Sequence, residues 1–263
     1  MRDSAVLFDV TKCVGCGSCT VACKMWNGLP YEENAHGYDV KLDDKTWTVV
    51  EYRDVKKGKE EALRFVKHQC MHCLEPSCVA VCFAKAITVS DEGAVVYDAK
   101  KCVGCRYCMI GCPYSVPKYE WDKVFPSVMK CRLCAEKLAQ GESPACTSVC
   151  PSGALTFGSR EELLTEAWSR IKSDSGYIQQ VYGETEGGGT RWLYISDVPF
   201  KELGLPEDIP TKSIPATLHD YTKWKPGIFV GAAAVFGALG LYTKRRVKIE
   251  NEQRQREGGE DDV

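Results

Sequence analysis

Short apolar runs alternate with polar, Gly- and Pro-containing stretches over most of the chain, and one long apolar run lies near the C-terminus. Runs at 46–55 and 62–68 flank a Lys/Gly/Glu turn and predict a β-hairpin. The segment "RWLYI", behind the Gly-rich loop "GETEGGGT", predicts a short strand. Ser159 and Glu162 have the spacing of a capping box. They open a predicted helix whose apolar face is Leu163, Leu164, Ala167, Trp168 and Ile171.

The long apolar run covers residues 226–243 and contains no charged residue. As a helix rising ~1.5 Å per residue, it would be roughly 27 Å long, which is close to the apolar thickness of a bilayer. Trp224 and Tyr242 lie at its two ends, where aromatic anchors are common, and Gly227 and Gly231 have the spacing of close helix contacts in lipid. We predict a single transmembrane helix, with a buried or interfacial helix as the alternative.

The composition is ordinary for a globular protein except in its cysteines. With 263 residues and a formal charge of −2, the chain can form one large or two small domains, and its charge gives no reason to expect nucleic acid. Its sixteen cysteines indicate disulfides or metal. We find no G-x-G-x-x-G, P-loop or C-x-x-C-H motif, and no nucleophile paired with a base. The composition and motifs therefore favour electron transfer over bond chemistry.

The cysteines form four groups of four, with none left over. In chain order the groups are Cys13, Cys16, Cys19 and Cys23; Cys70, Cys73, Cys78 and Cys82; Cys102, Cys105, Cys108 and Cys112; and Cys131, Cys134, Cys146 and Cys150. The stretch "FDVTKCVGCGSCTVAC" in the first group matches "YDAKKCVGCRYCMIGC" in the third, and "PSCVAVCFAKAIT" in the second matches "PACTSVCPSGALT" in the fourth. Such internal similarity indicates a duplicated unit.

The first and third groups have the C-x2-C-x2-C-x3-C spacing of bacterial ferredoxins. In that spacing the first three thiolates bind one [4Fe–4S] cluster, and the fourth binds a different cluster. Gly15 and Gly104 are expected to relieve the tight turns between the first two cysteines and to bring backbone N–H groups toward sulfur. Pro113 and Pro151 follow the last cysteines of groups three and four, as in ferredoxins.

Zinc is the main alternative, above all at the C-x2-C pairs of groups two and four. Two complete ferredoxin runs argue against it, because three sulfurs so close together would crowd one tetrahedral ion. A disulfide framework fits less well, because small disulfide-rich domains lack a core of the size this chain can form. His68 and His72 flank Cys70 and could ligate iron, but with all four thiols present we predict other roles for them.

Four cysteine groups in this order resemble the four-cluster iron–sulfur subunits of molybdopterin oxidoreductases and of some nickel–iron hydrogenases. With an apolar segment after "VYGETEGGGTRWLYISDVPFKELGLP", the chain is most similar to the beta subunit of membrane-bound formate dehydrogenase. The resemblance implies an α+β fold of two interleaved bacterial-ferredoxin-like two-cluster modules, with a hairpin insertion and one C-terminal transmembrane helix. The expected parts are a double ferredoxin-like domain (1–158), an α/β extension packing on it (159–205), an extended linker (206–225), the transmembrane helix (226–243) and a charged, disordered tail (244–263).

The resemblance also implies that groups one and four form one module and groups two and three the other. Cluster 1 would be bound by Cys13, Cys16, Cys19 and Cys150; cluster 2 by Cys131, Cys134, Cys146 and Cys23; cluster 3 by Cys70, Cys73, Cys78 and Cys112; and cluster 4 by Cys102, Cys105, Cys108 and Cys82. Some relatives have tryptophan in place of one cysteine of group three and bind a three-iron cluster. Because Cys105 occupies that neighbourhood here, four [4Fe–4S] clusters are expected.

By the same resemblance, the chain has no catalytic site of its own and is the electron-transfer subunit of a membrane-bound oxidoreductase. It would relay single electrons between a catalytic subunit, a molybdenum- or tungsten-pterin formate dehydrogenase, and a quinone-reactive cytochrome b subunit in the membrane. The equivalent subunit of a nickel–iron hydrogenase or of a molybdopterin terminal reductase is an alternative. Alternatives of another kind are a zinc-stabilised scaffold and a freestanding soluble polyferredoxin.

The basic residues around the apolar run predict its orientation. Lys223 and Lys225 precede the run, and a larger group follows it: Lys244, Arg245, Arg246 and Lys248. The positive-inside rule then places the C-terminal tail in the cytoplasm and the cluster domain on the periplasmic side. Since "MRDSAVLFDV" has no features of a signal sequence, we expect export in a complex with a signal-bearing partner, as the family resemblance implies.

Overall fold

The computed structural model describes residues 3–31, 35–58 and 60–257. Its strands are β1 (Ser4–Asp9), β2 (His36–Gly37), β3 (Val49–Lys57), β4 (Glu60–His68), β5 (Ile87–Val89), β6 (Val95–Tyr97), β7 (Lys118–Tyr119), β8 (Val128–Met129), β9 (Leu155–Ser159) and β10 (Trp192–Ile195). Its helices are α1 (Ser18–Asn27), α2 (Ser77–Ala80), α3 (Tyr107–Ile110), α4 (Ala135–Ala139), α5 (Ala145–Ser148), α6 (Arg160–Ser173), α7 (Ile214–Thr222) and α8 (Lys225–Glu257). The chain divides into two units, 1–215 and 216–263, and mixed α and β structure makes up the first.

Strand β1 lies in the middle of a three-stranded sheet with the order β10-β1-β9. It runs parallel to β10, with Val6 opposite Trp192, and antiparallel to β9. Val6 and Phe8 face the main hydrophobic core, whereas Ala5 and Leu7 pack in a second cluster against α6. Because both faces of β1 are buried, its sequence is continuously apolar instead of alternating.

The predicted capping box and helix are confirmed in α6. The hydroxyl of Ser159 accepts a hydrogen bond from the backbone N–H of Glu162, and the Glu162 carboxylate accepts one from the backbone N–H of Ser159. Leu163, Ala167 and Ile171, from the predicted apolar face, are buried against the sheet. Two backbone donors at the start of the helix are therefore satisfied within the chain.

The predicted hairpin is also confirmed, with slightly different bounds. Strands β3 and β4 pair antiparallel from Val49 opposite His68 to the turn, and β2 adds a short parallel strand beside β3. Lys57 and Arg64 reach from the hairpin to the carboxylate of Asp197, at 2.8 and 2.5 Å. These ion pairs attach the hairpin to the segment that follows β10.

The duplicated cysteine units have the same local structure. Strand β1 leads into group one and pairs antiparallel with β9, which follows group four; β6 leads into group three and pairs antiparallel with β5, which follows group two. Asp9 and Asp98 each cap a short 3-10 turn, by accepting a hydrogen bond from the backbone N–H two residues later. In addition, α1 contacts α5 and α2 contacts α3. The sequence repeat is therefore a repeat of structure.

The extended conformation expected for the linker over 206–225 is wrong at Ile214–Thr222, where the chain forms α7. Pro215 lies in the first turn of this helix, where proline costs no hydrogen bond because that N–H has no partner within the helix. The Pro-containing composition therefore does not prevent a helix here.

Helix α8 extends well beyond the predicted span of 226–243. The predicted disorder is wrong for 244–257, and residues 258–263 lie outside the described part of the chain. Charged residues in this extension favour a helix and pair one turn apart, Arg246 with Glu250 at 3.0 Å and Lys248 with Glu252 at 3.8 Å. Of the helices described, one segment, Ile214–Arg254, is long and apolar enough to cross a membrane by length and composition.

Candidate metal centres

Glycines with positive φ shape the first and third cysteine loops. Gly15 (φ +67°) and Gly104 (φ +71°) lie between the first two cysteines of their groups, as predicted. The backbone N–H of Gly15 points to Cys13, and that of Gly104 donates to Sγ of Cys102 at 3.4 Å. A Cβ at Gly15 would lie 2.5 Å from the ring of Phe65. Both the backbone conformation and the lack of space therefore require glycine at position 15.

Groups two and four are shaped by a second shared pattern. Pro76 and Pro144 precede α2 and α5, and each helix carries the third cysteine of its group. His72 (φ +46°) and Leu133 (φ +53°) take the left-handed conformation immediately before the second cysteine. The same backbone shape thus recurs in both groups despite their different side chains.

Four cysteines from two groups far apart in the sequence meet at one cavity. Cys13, Cys16, Cys19 and Cys150 line about 350 Å³ of empty space. The wall is otherwise mainly apolar and includes Phe8, Val14 and Val50. Three thiols of group one therefore share this cavity with the last thiol of group four.

Two further cavities have nearly the same size and the same three-plus-one composition. One, of about 350 Å³, is lined by Cys23, Cys131, Cys134 and Cys146. The other, of about 340 Å³, is lined by Cys82, Cys102, Cys105 and Cys108. We call the four cysteine sets the first to fourth sites, in the order of the clusters expected from the sequence.

The remaining cysteines make up the third site. Burial raises the pKa of Cys73 well above its ordinary value, and the neighbouring charges of Cys70, Cys112 and Cys78 raise it further. These electrostatic contributions show that the four sulfurs lie in one neighbourhood. Each predicted set of four cysteines is thus brought together by the fold.

Most of the thiols are hard to ionise where they lie. Burial raises the pKa of Cys78 to about 12 and the pKa values of Cys131, Cys134 and Cys146 to about 11. At Cys16 the hydroxyl and backbone N–H of Ser18 have the opposite effect and lower the pKa. Buried, protonated thiols of this kind become stable thiolates when a metal replaces the proton.

Neighbouring sites are close enough for their charges to interact. Besides burial, the charge of Cys19 in the first site raises the pKa of Cys146 in the second. Cys70 in the third site has the same effect on Cys131 in the second. Burial and the charges of neighbouring cysteines raise the pKa of Cys78, and one of these cysteines is Cys108 in the fourth site. The pairs of sites whose charges act on one another are therefore the first and second, the second and third, and the third and fourth.

The surroundings of the sites fit [4Fe–4S] clusters. Backbone N–H groups donate to sulfur from Ala86 to Cys82 at 3.2 Å and from Leu133 to Cys131 at 3.4 Å. Within the described part of the chain, the indole N–H of Trp192 is buried without a partner, and the side chain lines the second cavity. The sulfurs of a [4Fe–4S] site accept hydrogen bonds from donors of this kind around the cysteines.

The same geometry fits zinc poorly. All sixteen cysteines are free thiols. Among residues 3–31, 35–58 and 60–257, no three His, Cys, Asp or Glu side chains are close enough to hold a single metal ion. The thiols of a site surround a space instead of converging on a point, as a multi-iron cluster requires and a tetrahedral zinc ion does not.

The two histidines beside Cys70 have partners in the protein. His68 lies 3.0 Å from the carboxylate of Glu51, and Nδ1 of His72 accepts a hydrogen bond from the backbone N–H of Val95 at 2.9 Å. Nε2 of His72 is buried without a partner among the described residues, and the expectation that neither histidine is a ligand stays a prediction.

Two buried lysines near the sulfurs were not predicted from the sequence. Lys67 is 1% exposed and lines both the first and the second cavity, and Lys130 is 3% exposed and acts on the pKa values of Cys78 and Cys112. A lysine in a strand normally faces solvent. The only signal was indirect: Lys67 precedes His68 and Gln69 at the end of a strand that leads straight into a cysteine group.

Four free-thiol sites of this kind define a ferredoxin-type iron–sulfur protein, and a family comparison agrees. Residues 61–160 match the family described as 4Fe-4S dicluster domain. The chain therefore uses [4Fe–4S] clusters as its cofactors.

Relatives that match over nearly the whole chain show more closely which kind of iron–sulfur protein this is. The chain is 36% identical to the hydrogenase-2 operon protein HybA of Escherichia coli O157:H7, over 97% of this chain and 87% of that protein. It is 36% identical to the formate dehydrogenase iron–sulfur subunit of Haemophilus influenzae (90% and 77%) and 34% identical to the formate dehydrogenase-O iron–sulfur subunit of Escherichia coli K12 (95% and 87%). The chain belongs to this family of iron–sulfur electron-transfer subunits of formate dehydrogenase- and hydrogenase-type complexes.

Proposed function

We propose that the chain relays single electrons through four [4Fe–4S] clusters, between the catalytic subunit of a membrane-bound formate dehydrogenase and a quinone-reactive cytochrome b subunit. The chain itself would have no catalytic site. When bound, the clusters supply one-electron redox centres. The residues of the chain hold the clusters, keep water away from them and set their order.

One observation carries this proposal: the four sites form a series whose two end sites reach the surface. Of the sixteen cysteines, Cys16 in the first site and Cys105 in the fourth are exposed, and the others are buried or partly buried. Exposed apolar residues lie beside both, including Val14 and Val103, which are 58% and 61% exposed. An electron relay needs accessible ends and a protected middle, and this arrangement has both.

We further propose that the cysteine sets are the ligand sets expected from the family. Cluster 1 would be held by Cys13, Cys16, Cys19 and Cys150; cluster 2 by Cys131, Cys134, Cys146 and Cys23; cluster 3 by Cys70, Cys73, Cys78 and Cys112; and cluster 4 by Cys102, Cys105, Cys108 and Cys82. Support comes from the shared cavities and from the pairing of β1 with β9 and of β5 with β6. Groups one and four would then form one module, and groups two and three an interleaved second one.

The membrane part of the proposal rests on the apolar run in α8. We infer a single transmembrane helix over 226–243, within α8. The heavier basic charge after the run favours a cytoplasmic C-terminus and a periplasmic cluster domain, exported with a signal-bearing partner. Gly227 and Gly231, which have open space beside them, would allow close packing with the cytochrome subunit.

A hydrogenase is the second candidate for the catalytic partner. The match to the hydrogenase-2 operon protein HybA covers a larger share of the chain than the match to the Haemophilus formate dehydrogenase subunit, at the same identity. Purification of the complex from mild detergent decides between them. A pterin-containing partner with formate-dependent reduction supports the first candidate, and a nickel-containing partner with hydrogen-dependent reduction supports the second.

Metal analysis and spectroscopy of the anaerobically purified complex test the relay. We expect about sixteen iron and about sixteen acid-labile sulfide per chain beyond the amounts that belong to the partner subunits, and four reducible clusters of this chain by electron paramagnetic resonance. Zinc without sulfide would refute the proposal.

Serine variants test the ligand sets. Cys150→Ser should perturb the same resonance as Cys13→Ser, and Cys146→Ser, four residues earlier, should perturb a different one. If Cys150→Ser and Cys146→Ser affect the same cluster, the interleaved arrangement is wrong.

A further inference from the structure

Lys67 occupies an unusual place between the first two sites. It lies on β4, is 1% exposed, and lines both cavities. Its ammonium donates hydrogen bonds to Oγ1 of Thr48 at 2.5 Å and to Oε1 of Gln69 at 2.9 Å. The same ammonium lies 4.6 Å from the ring centroid of Trp192. All of these partners are neutral, and within the described residues no ion pair joins Lys67 to a carboxylate.

The two cavities place the Lys67 side chain beside the cysteines of both sites. A buried ammonium is costly without a counter-charge, and its hydrogen-bond and ring partners are all neutral. The negative charge of the two cysteine-bound clusters is what would balance it.

We propose that Lys67 is a fixed positive charge shared by the first and second sites, and that it raises the reduction potentials of both clusters. This inference rests on the proposed ligand sets of those two sites. Reduction adds a negative charge to a cluster, and a nearby cation in a low-dielectric interior stabilises that charge. Because one ammonium serves both sites, its removal should lower both potentials together and leave the other two clusters nearly unchanged.

Lys24 provides a matched control in the same chain. It is also buried, at 3% exposed, and it follows Cys23 directly. Its ammonium, however, donates to the carbonyls of Pro30 and Lys45 and to the hydroxyl of Thr46, and Lys24 lines neither of the two cavities. Replacing it removes a buried lysine without removing the charge between the sites.

The test is a redox titration of the anaerobically purified complex, followed by electron paramagnetic resonance, in the parent, Lys67→Met and Lys24→Met forms. In Lys67→Met we expect reduction of the first two clusters to become at least tenfold less favourable, a shift of about 59 mV for a one-electron couple. In Lys67→Met, reduction of the third and fourth clusters should stay within threefold of the parent equilibrium. In Lys24→Met, reduction of all four clusters should stay within the same limit. The Cys13→Ser and Cys146→Ser variants identify which couples belong to the first and second sites.

A second variant covers the case in which Lys67→Met does not retain its iron. Gln69→Glu places a carboxylate beside the ammonium and compensates its charge while Lys67 stays in place. The same two potentials should fall. The inference is overturned if either iron-loaded variant leaves the first two potentials unchanged, raises them, or shifts all four equally. Absence of reducible clusters in the parent complex would instead refute the proposed function, before any variant is compared.

Discussion

Gly15→Ala should weaken the first site more than any other conservative change in its loop. Gly15 has a φ of +67°, and its carbonyl accepts a hydrogen bond from the hydroxyl of Tyr52 at 3.0 Å. On its other side is Phe65, whose ring stacks edge-on against Tyr52 at 4.9 Å. A Cβ at position 15 would lie 2.5, 2.6 and 2.9 Å from three ring carbons of Phe65. The loop that carries Cys13 and Cys16 is therefore held against the hairpin with no room for a methyl group.

The expected cost has two parts. An L-residue in the left-handed conformation costs roughly 1–2 kcal/mol, and overpacking a well-filled site costs about 1–3 kcal/mol more. Gly28 allows the conformational cost to be measured without the overpacking cost, because it has a φ of +61° and nothing lies within 4 Å of a Cβ added there. Gly28→Ala should therefore lose only the conformational part, and Gly15→Ala both, for a total of about 2–5 kcal/mol.

The assay is thermal loss of the visible cluster absorbance, under anaerobic conditions and at one fixed heating rate, because unfolding of such a protein is irreversible. At about 2–4 °C per kcal/mol for a unit of this size, Gly28→Ala should lower the midpoint by about 2–8 °C and Gly15→Ala by about 4–20 °C. In a Phe65→Ala background the added cost of Gly15→Ala should fall to that of Gly28→Ala. Equal midpoints for the two single variants would show that the ring contact has no energetic effect, and the reasoning from close packing would be wrong.

Three other predictions concern stability and cofactor loading. Ser159→Ala should lower the free energy of unfolding by about 1 kcal/mol by removing the capping box. Ser169→Ala, on the exposed side of α6, should change it by less than about 0.5 kcal/mol; both are measured as shifts of the thermal midpoint. Burial raises the pKa of Asp197, but Arg64 and Lys57 lower it by more than burial raises it, and the resulting pKa is about 2. Since this pKa lies below the unfolded value of about 3.9, the ionised Asp197 stabilises the fold above about pH 4, and this stabilisation is lost as the pH falls toward 2. Asp197→Asn should lower the free energy of unfolding at pH 7 by up to about 2 kcal/mol, seen as a lower midpoint. Reconstitution of the iron-free chain should release protons, measured with a pH indicator, because buried thiols with raised pKa values must ionise to bind iron; no proton release would contradict their protonated state.

The local parts of the sites could be predicted from the sequence, because local geometry determines them. A ferredoxin run contains the turn, the glycine and three thiols within one short loop, so the conformations of Gly15 and Gly104 follow from spacing alone. The capping box at Ser159 and the hairpin turn are likewise complete within a few residues. The meeting of Cys150 with group one was expected only from the family resemblance, since no local pattern joins residues so far apart.

Other features depend on tertiary contacts and could not be predicted from the sequence. The strand "RWLYI" was expected, but its place is at the edge of the three-stranded sheet, parallel to β1. Part of the segment expected to pack on the ferredoxin-like domain therefore shares a sheet with it. The composition of 206–225 suggested an extended chain because proline disfavours helices in general, whereas the position of Pro215 in the first turn decides the outcome. Lys67 looked like an ordinary surface residue, because the cysteines of the two cavities that it lines come from groups far apart in the sequence.

The hairpin insertion gives the two proposed modules different surroundings, although both contain the repeated unit. Between groups one and two the chain inserts the long strands β3 and β4, whereas between groups three and four the described chain has only β7 and β8, of two residues each. From the hairpin, Tyr52 and Phe65 close on the first cysteine loop, and Lys67 reaches the first two cavities. Duplication alone would give corresponding sites similar surroundings and hence similar potentials. An insertion whose side chains reach the first two sites is a direct way to separate the potentials of those sites from the others, and the potentials of the Lys67 variants measure how far it does so.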